Sequence, residues 1–193
     1  MATITSNKSP MHINCTIGQP YGNPGSYTCG FHTGIDFPET GTGETNPDLY
    51  SCVEDGEVVY IYTQCLNPGD SPALGNQVLI KDNRSGYYFR YCHMLYGSIV
   101  VNVGDHVTTA TRLGKMGNTG NSTGTHLHLE CTRTIEWRCD NFLNPGEILG
   151  FGNERGTIIV YDGTTPPIPP TPVTNKKKYN SPLFFLKRLD IYF

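Results

Sequence analysis

Apolar and polar residues alternate with period two along much of this chain. The clearest case is Thr125-His126-Leu127-His128-Leu129-Glu130. On a strand, residues two apart share a face. His126, His128 and Glu130 are therefore expected on one face, with Leu127 and Leu129 on the other. The stretch ahead of them, Gly117 to Gly124, mixes glycine with Asn, Ser and Thr and reads as turns. Upstream, Asn76–Lys81 and Tyr87–His93 read as paired strands joined by a turn at Asp82–Gly86. Asp55-Gly56, between the β-prone runs Leu49–Val53 and Glu57–Tyr62, predicts a hairpin. Ser98–Val103, His106–Thr109 and Leu113–Met116 continue the pattern, and Thr157–Tyr161 reads as a last strand. Residues 1–30 are expected to be irregular. Strands roughly every ten residues, without a convincing helix, predict an all-β fold: an antiparallel two-sheet sandwich or barrel-like domain with long loops around a groove.

Composition agrees and adds boundaries. The 193 residues include 22 Gly, 14 Pro and 12 Tyr, which favours a β domain with many turns. The expected division is an N-terminal extension (1–17), a main domain (18–152), a further strand (153–162), a Pro/Thr-rich linker (163–174) and a basic, apolar tail (175–193). The linker should be extended and semi-rigid. The tail is expected to dock on a partner protein or a membrane surface. Net charge is −3, and the basic tail leaves the main domain more acidic still. With no basic stripe, nucleic acid is not the expected partner. No basic segment followed by an apolar run opens the chain, so no secretory signal is read. Seven cysteines, an odd number without a CxxC pair, read mostly as reduced thiols of a chain made in a reducing compartment, with one or two disulfides left open. Cys29, Cys92 and Cys131 lie close to histidines and read as small buried apolar residues.

The histidines carry the chemistry. His32 and Asp36 form an HxxxD unit which Gly34 and Pro38 keep from being helical. One imidazole, one carboxylate and a third donor make the three-ligand site of a catalytic zinc. His128 is the natural third ligand. Two nitrogens among three donors favour zinc over magnesium or calcium. His93 and His126 remain as groups that could take a proton from water or support a developing oxyanion. Glu130 shares the face of His128. It reads equally as an acceptor that orients a histidine or as a solvated strand residue. His106 is expected at the surface, and His12 has no expected partner.

The order of these motifs resembles the lysostaphin/LytM-type zinc endopeptidases, which cleave peptidoglycan. His32-Thr-Gly-Ile-Asp36 is similar to that family's HxGxD, and Tyr91-Cys-His93-Met94 to its YxHL. Val103-Gly104-Asp105-His106-Val107 is similar to VGDxV, and Gly117–Glu130 to the closing signature. The likeness spans about residues 18–150. It implies one zinc ion held by His32, Asp36 and His128, with His93 and His126 as the catalytic pair. It also implies a tyrosine ahead of the first ligand near the oxyanion. Tyr21 and Tyr27 are the candidates, although a packed loop aromatic is the favoured role for each. The implied substrate is bacterial peptidoglycan, cut in stem peptides or cross-bridges by a phage lysin or virion-associated protein. Such a protein would be made in the host cytoplasm, released by lysis or carried on a virion, and would act on the wall. Competing expectations are a non-catalytic wall-binding member of the same fold and a histidine phosphoryl carrier.

Overall fold

The computed structural model describes residues 2–39 and 45–163. The linker from 164 on and the tail lie outside the described residues. The centre is strand β10 (His126–Thr132), the alternating stretch of the sequence. Leu127 and Leu129 are fully buried, each worth roughly 1.5–3 kcal/mol of apolar transfer. One edge of β10 pairs with β7 (Tyr88–Met94), antiparallel. The other edge is shared by β3 (Gly34–Pro38), beside His126–Glu130, and β11 (Phe142–Leu143), beside Cys131–Thr132. The sheet continues from β7 through β6 (Asn76–Asp82) and β5 (Gly56–Tyr62) to the short β8 (His106–Val107). Its inner face buries Ile35, Phe37, Val78, Ile80, Phe89 and Tyr91 beside the two leucines.

The β6–β7 pair is as expected from the pattern. The hairpin predicted around Asp55-Gly56 is not. The strand β4 (Asp48–Tyr50) leaves β5 and pairs instead with β9 (Arg112–Lys115), forming a separate two-stranded sheet. The run breaks after Tyr50 for a local reason. The Ser51 hydroxyl accepts from the Val53 amide at 3.2 Å, and the Cys52 amide donates to the Tyr91 hydroxyl at 2.6 Å. These bonds bend residues 51–53 into the core. The expected strand at Ser98–Val103 is also absent, and Val100 and Val103 stand exposed.

The N-terminal residues are less irregular than expected. Strand β1 (Thr3–Ser6) runs parallel to β12 (Ile158–Tyr161), which also pairs with β2 (Cys15–Thr16). Met11, Cys15 and Ile17 join the same core as the main sheet. A one-turn helix α1 (Pro145–Leu149), unexpected from the pattern, follows β11. Asn144 caps it by accepting from the Gly146 and Glu147 amides, Pro145 opens it and Gly150 closes it in the left-handed region. Among the described residues no helix is long and apolar enough to cross a membrane.

Candidate metal centre and active site

The β3–β10–β7 arrangement assembles the histidines. Register places His128 opposite Asp36 on one side and Cys92 on the other. His32 comes from the loop just before β3. Gly34 allows the close approach, since a Cβ there would lie 2.4 Å from the Leu129 carbonyl and 2.9 Å from the His128 ring. The Nε2 of His32 lies 3.1 Å from Asp36 Oδ1 and 3.0 Å from His128 Nδ1, and Asp36 Oδ1 lies 2.8 Å from His128 Nδ1. His32 and His128 are 4% and 6% exposed.

The remaining ring nitrogens decide what these atoms present. A backbone carbonyl only accepts, so His32 Nδ1 carries a proton and donates it to Pro20 O at 2.9 Å. His128 Nε2 donates toward the carboxylate of Glu130 at 3.3 Å. Both facing nitrogens then offer lone pairs, alongside a carboxylate oxygen. Three lone pairs at this spacing repel one another unless a cation or a proton sits among them. Among the described residues, these three are the group arranged to hold a metal ion. Two imidazoles and one carboxylate, with the outer N–H of each ring fixed by an acceptor, suit zinc with an open position.

Electrostatics point the same way. Burial works against the Asp36 carboxylate, but hydrogen bonds from His128 and His32 outweigh it and hold its pKa well below the usual range. Burial likewise opposes charge on His128, and the hydrogen bonds to Asp36 and Glu130 overcome it and raise its pKa. The cluster thus favours positive charge at its centre.

Two further histidines face this cluster. His93 adopts a left-handed backbone, φ 58°, and its Nδ1 donates to Thr119 O at 2.8 Å. Burial, then the charges of His128 and His126, push its pKa down to about 3. His126 Nδ1 donates to Gly124 O at 2.8 Å, and its Nε2 lies 3.8 Å from Asp36 Oδ1. The His93 ring centre is 4.8 Å from that of His126 and 6.0 Å from that of His128. The glycine-rich loop shapes this side. A Cβ on Gly120, at φ 76°, would lie 2.4 Å from the Gly75 amide, whereas Gly124 has open space around it. The close turn therefore depends on Gly120 and not on Gly124.

Glu130 is fully buried, which removes the solvated alternative. Its carboxylate accepts from the Thr33 hydroxyl at 2.7 Å and from the Trp137 indole at 3.3 Å, and it faces Arg90 Nε at 3.3 Å. Burial opposes its charge, and His128 and Arg90 hold its pKa down. Arg90, Thr33 and Trp137 were not singled out from the sequence. Arg90 was in principle legible, because it lies opposite Glu130 once β7 is paired with β10.

The two tyrosines separate. The Tyr21 hydroxyl donates to Phe142 O at 3.4 Å and its ring packs edge-on against Phe31, a structural role. Tyr27 is 39% exposed with its ring centre 5.5 Å from that of His32. His106, as expected, is near the surface, paired with Asp55 at 3.0 Å. His12 does have partners. It is stacked between Tyr50 and Tyr161, with ring centres at 3.5 and 4.2 Å. Cys92 and Cys131 are buried thiols, as are Cys15, Cys52 and Cys65. Cys29 departs from its expected role, because it forms a disulfide with Cys139.

Residues 30–141 match the model of peptidase family M23, more than half of the chain. The peptidoglycan DD-endopeptidase ShyA of Vibrio cholerae is 34% identical over 93 residues, 48% of this chain and 20% of that protein. The chain spans about a fifth of the length of the curated relatives it matches. Among solved structures, a catalytic-domain mutant of the prophage-encoded M23 protein EnpA of Enterococcus faecalis has a TM-score of 0.50 at 27% identity. The match covers 68% of this chain and 88% of that one. The catalytic domain of lysostaphin from Staphylococcus simulans shares the fold, with a TM-score of 0.53 at 23% identity over 71% of this chain and 91% of its own. Matched over residues 30–141 and folded as its relatives are, the chain belongs to peptidase family M23, a family of zinc-dependent metallopeptidases.

Proposed function

We propose that this chain is a zinc-dependent endopeptidase that hydrolyses peptide bonds in the stem peptides or cross-bridges of bacterial peptidoglycan. The observation that carries the reading is the convergence of five side chains at one end of β3, β10 and β7, within a region that matches the family. His32 Nε2, Asp36 Oδ1 and His128 Nδ1 would hold the ion. Bound zinc would supply Lewis acidity and lower the pKa of a water to about 7.

The remaining work falls to His93 and His126. With Nδ1 tied to Thr119 O, His93 presents Nε2 as a base in a fixed tautomer. Burial keeps the ring neutral, so its Nε2 lone pair is open to accept a hydrogen bond from the attacking water, steer it and pass its proton on toward the departing amine nitrogen. His126 is the less buried of the two. It can carry a proton on Nε2 and donate it toward the carbonyl oxygen as charge develops there. Glu130 and Pro20 O fix the rings of His128 and His32, and Tyr21 takes no part.

A binding-only member of this fold would be expected to lack part of the donor set, and this one is whole. The family match likewise disfavours a phosphoryl carrier. A phage lysin or virion-associated enzyme released onto the wall is the setting we propose, supported by the likeness to a prophage-encoded relative. The disulfide also suits a protein that works outside a reducing cytoplasm. Docking by the tail remains a proposal from its sequence alone.

The test is mass spectrometry of fragments released from walls of defined cross-link chemistry. New amino and carboxyl termini at one stem-peptide or cross-bridge position are expected. Release of sugar fragments alone, or of nothing from a broad panel by zinc-loaded protein, would overturn the reading.

A further inference from the structure

The Cys29–Cys139 disulfide joins two loops that reach the site from opposite ends of the sequence, 110 residues apart. Residues 22–28 are all exposed and bring no buried side chain to the core. Their backbone hydrogen bonds are local: Gly22 N to His32 O and His32 N to Asn23 O, both 2.8 Å, and Gly30 N to Tyr27 O, also 2.8 Å, while Gln19 Nε2 donates to the Tyr27 hydroxyl from outside the segment. These bonds set the shape of the segment. They fix its start at His32, whereas its far end at Cys29 is tied to the opposite loop by the disulfide. Tyr27 sits at its tip beside His32.

The loop at the other end is firmly built. Asn141 Nδ2 donates to Thr134 Oγ1 at 2.7 Å and Glu136 O at 2.6 Å, and the Trp137 ring packs edge-on against Phe142. Cys139 projects from this loop and is exposed. The stretch that carries Pro20, whose carbonyl holds the His32 ring, is anchored outside this segment. Gly18 N donates to Asp36 O at 2.8 Å, Asp36 N to Gln19 O at 2.9 Å and Tyr21 N to Asn153 Oδ1 at 2.9 Å.

We propose that the Cys29–Cys139 disulfide is a clamp on the substrate side of the site: it holds the Tyr27 segment in place for the bound peptide, without supporting the metal. The clamp closes by thiol–disulfide exchange with a disulfide oxidant. Two thiols give up two protons and two electrons, one S–S bond forms here, and the oxidant's S–S bond is reduced to two thiols. A chain made under reducing conditions therefore reaches full substrate affinity only after it meets an oxidising medium. This inference rests on the peptidoglycan reading for its substrate.

The test compares the oxidised full chain with the Cys29→Ser/Cys139→Ser variant and with mildly reduced protein. The other five cysteines are buried, so alkylation under native conditions reports on this pair alone. Zinc content, kcat and KM on a released wall peptide, and Kd for that peptide by calorimetry are measured together. The expected result is unchanged zinc, a similar kcat and a rise of roughly tenfold in KM and Kd as preorganisation is lost. Tyr27→Ala in the oxidised protein should raise both by a similar factor, and the combined variant should add little, as for residues acting as one unit. A lower melting temperature with unchanged KM and Kd would overturn the clamp, as would loss of zinc. If the oxidised protein binds the peptide tenfold tighter but cuts nothing, the enzymatic reading fails and the clamp stands.

Discussion

At the scale of single residues, the site depends on which atom of each ring is free. Every histidine in it has one nitrogen committed to an acceptor: Pro20 O, Glu130, Thr119 O or Gly124 O. Glu130 is the least exposed of these supports and the one that carries charge. It is kept ionised by His128 above it and by Arg90, itself nearly buried. Removing one partner of a buried pair leaves the other charge uncompensated, at a cost of about 3–5 kcal/mol. Arg90→Leu is therefore expected to lose about that much stability in urea denaturation, whereas Arg138→Leu, in an exposed pair with Asp140, should cost far less. Equal effects of the two substitutions would contradict the role given to Arg90.

At the scale of elements, what the sequence showed was the local alternation. Leu127 and Leu129 go inward, and His126, His128 and Glu130 face the site, because period two is a property of the strand itself. Partner choice was less visible. Leu49 is buried as its pattern suggests, but β4 leaves β5 for β9, because bends at Ser51–Val53 and the Tyr91 hydroxyl draw the chain aside. Strand β1 escaped notice because its partner β12 lies more than 150 positions on, and four residues of TITS carry little signal. The aromatic stack around His12 was hidden for the same reason: Tyr50 and Tyr161 are remote in sequence. The trio of His32, Asp36 and His128 was approached through spacing and resemblance. The network of Arg90, Thr33 and Trp137 beneath it required the register of three strands.

At the scale of the whole molecule, the core contains several thiols that must stay protonated to remain buried. Burial pushes Cys15, Cys52 and Cys131 each up to about 12, well above the ordinary thiol value of about 8.5. A pKa raised in the folded state adds stability that is complete below the unfolded value and is lost as pH rises toward the folded one. Stability should therefore fall between about pH 8.5 and 12, by roughly 1–2 kcal/mol per thiol at pH 10. Urea midpoints at pH 8 and pH 10 check this, and Cys52→Ala should shrink the difference between them. A midpoint that does not move would show that the thiols do not set the alkaline limit.

In the mechanism proposed above, one zinc ion and two separate histidines share the chemistry. The most direct measurement is metal content and wall hydrolysis on the same preparations of wild type, His93→Ala, His126→Ala and His128→Ala. One zinc per chain is expected in wild type, His93→Ala and His126→Ala, little in His128→Ala, and wall hydrolysis by wild type alone. Full hydrolysis by His93→Ala, or full zinc in His128→Ala, would contradict that mechanism.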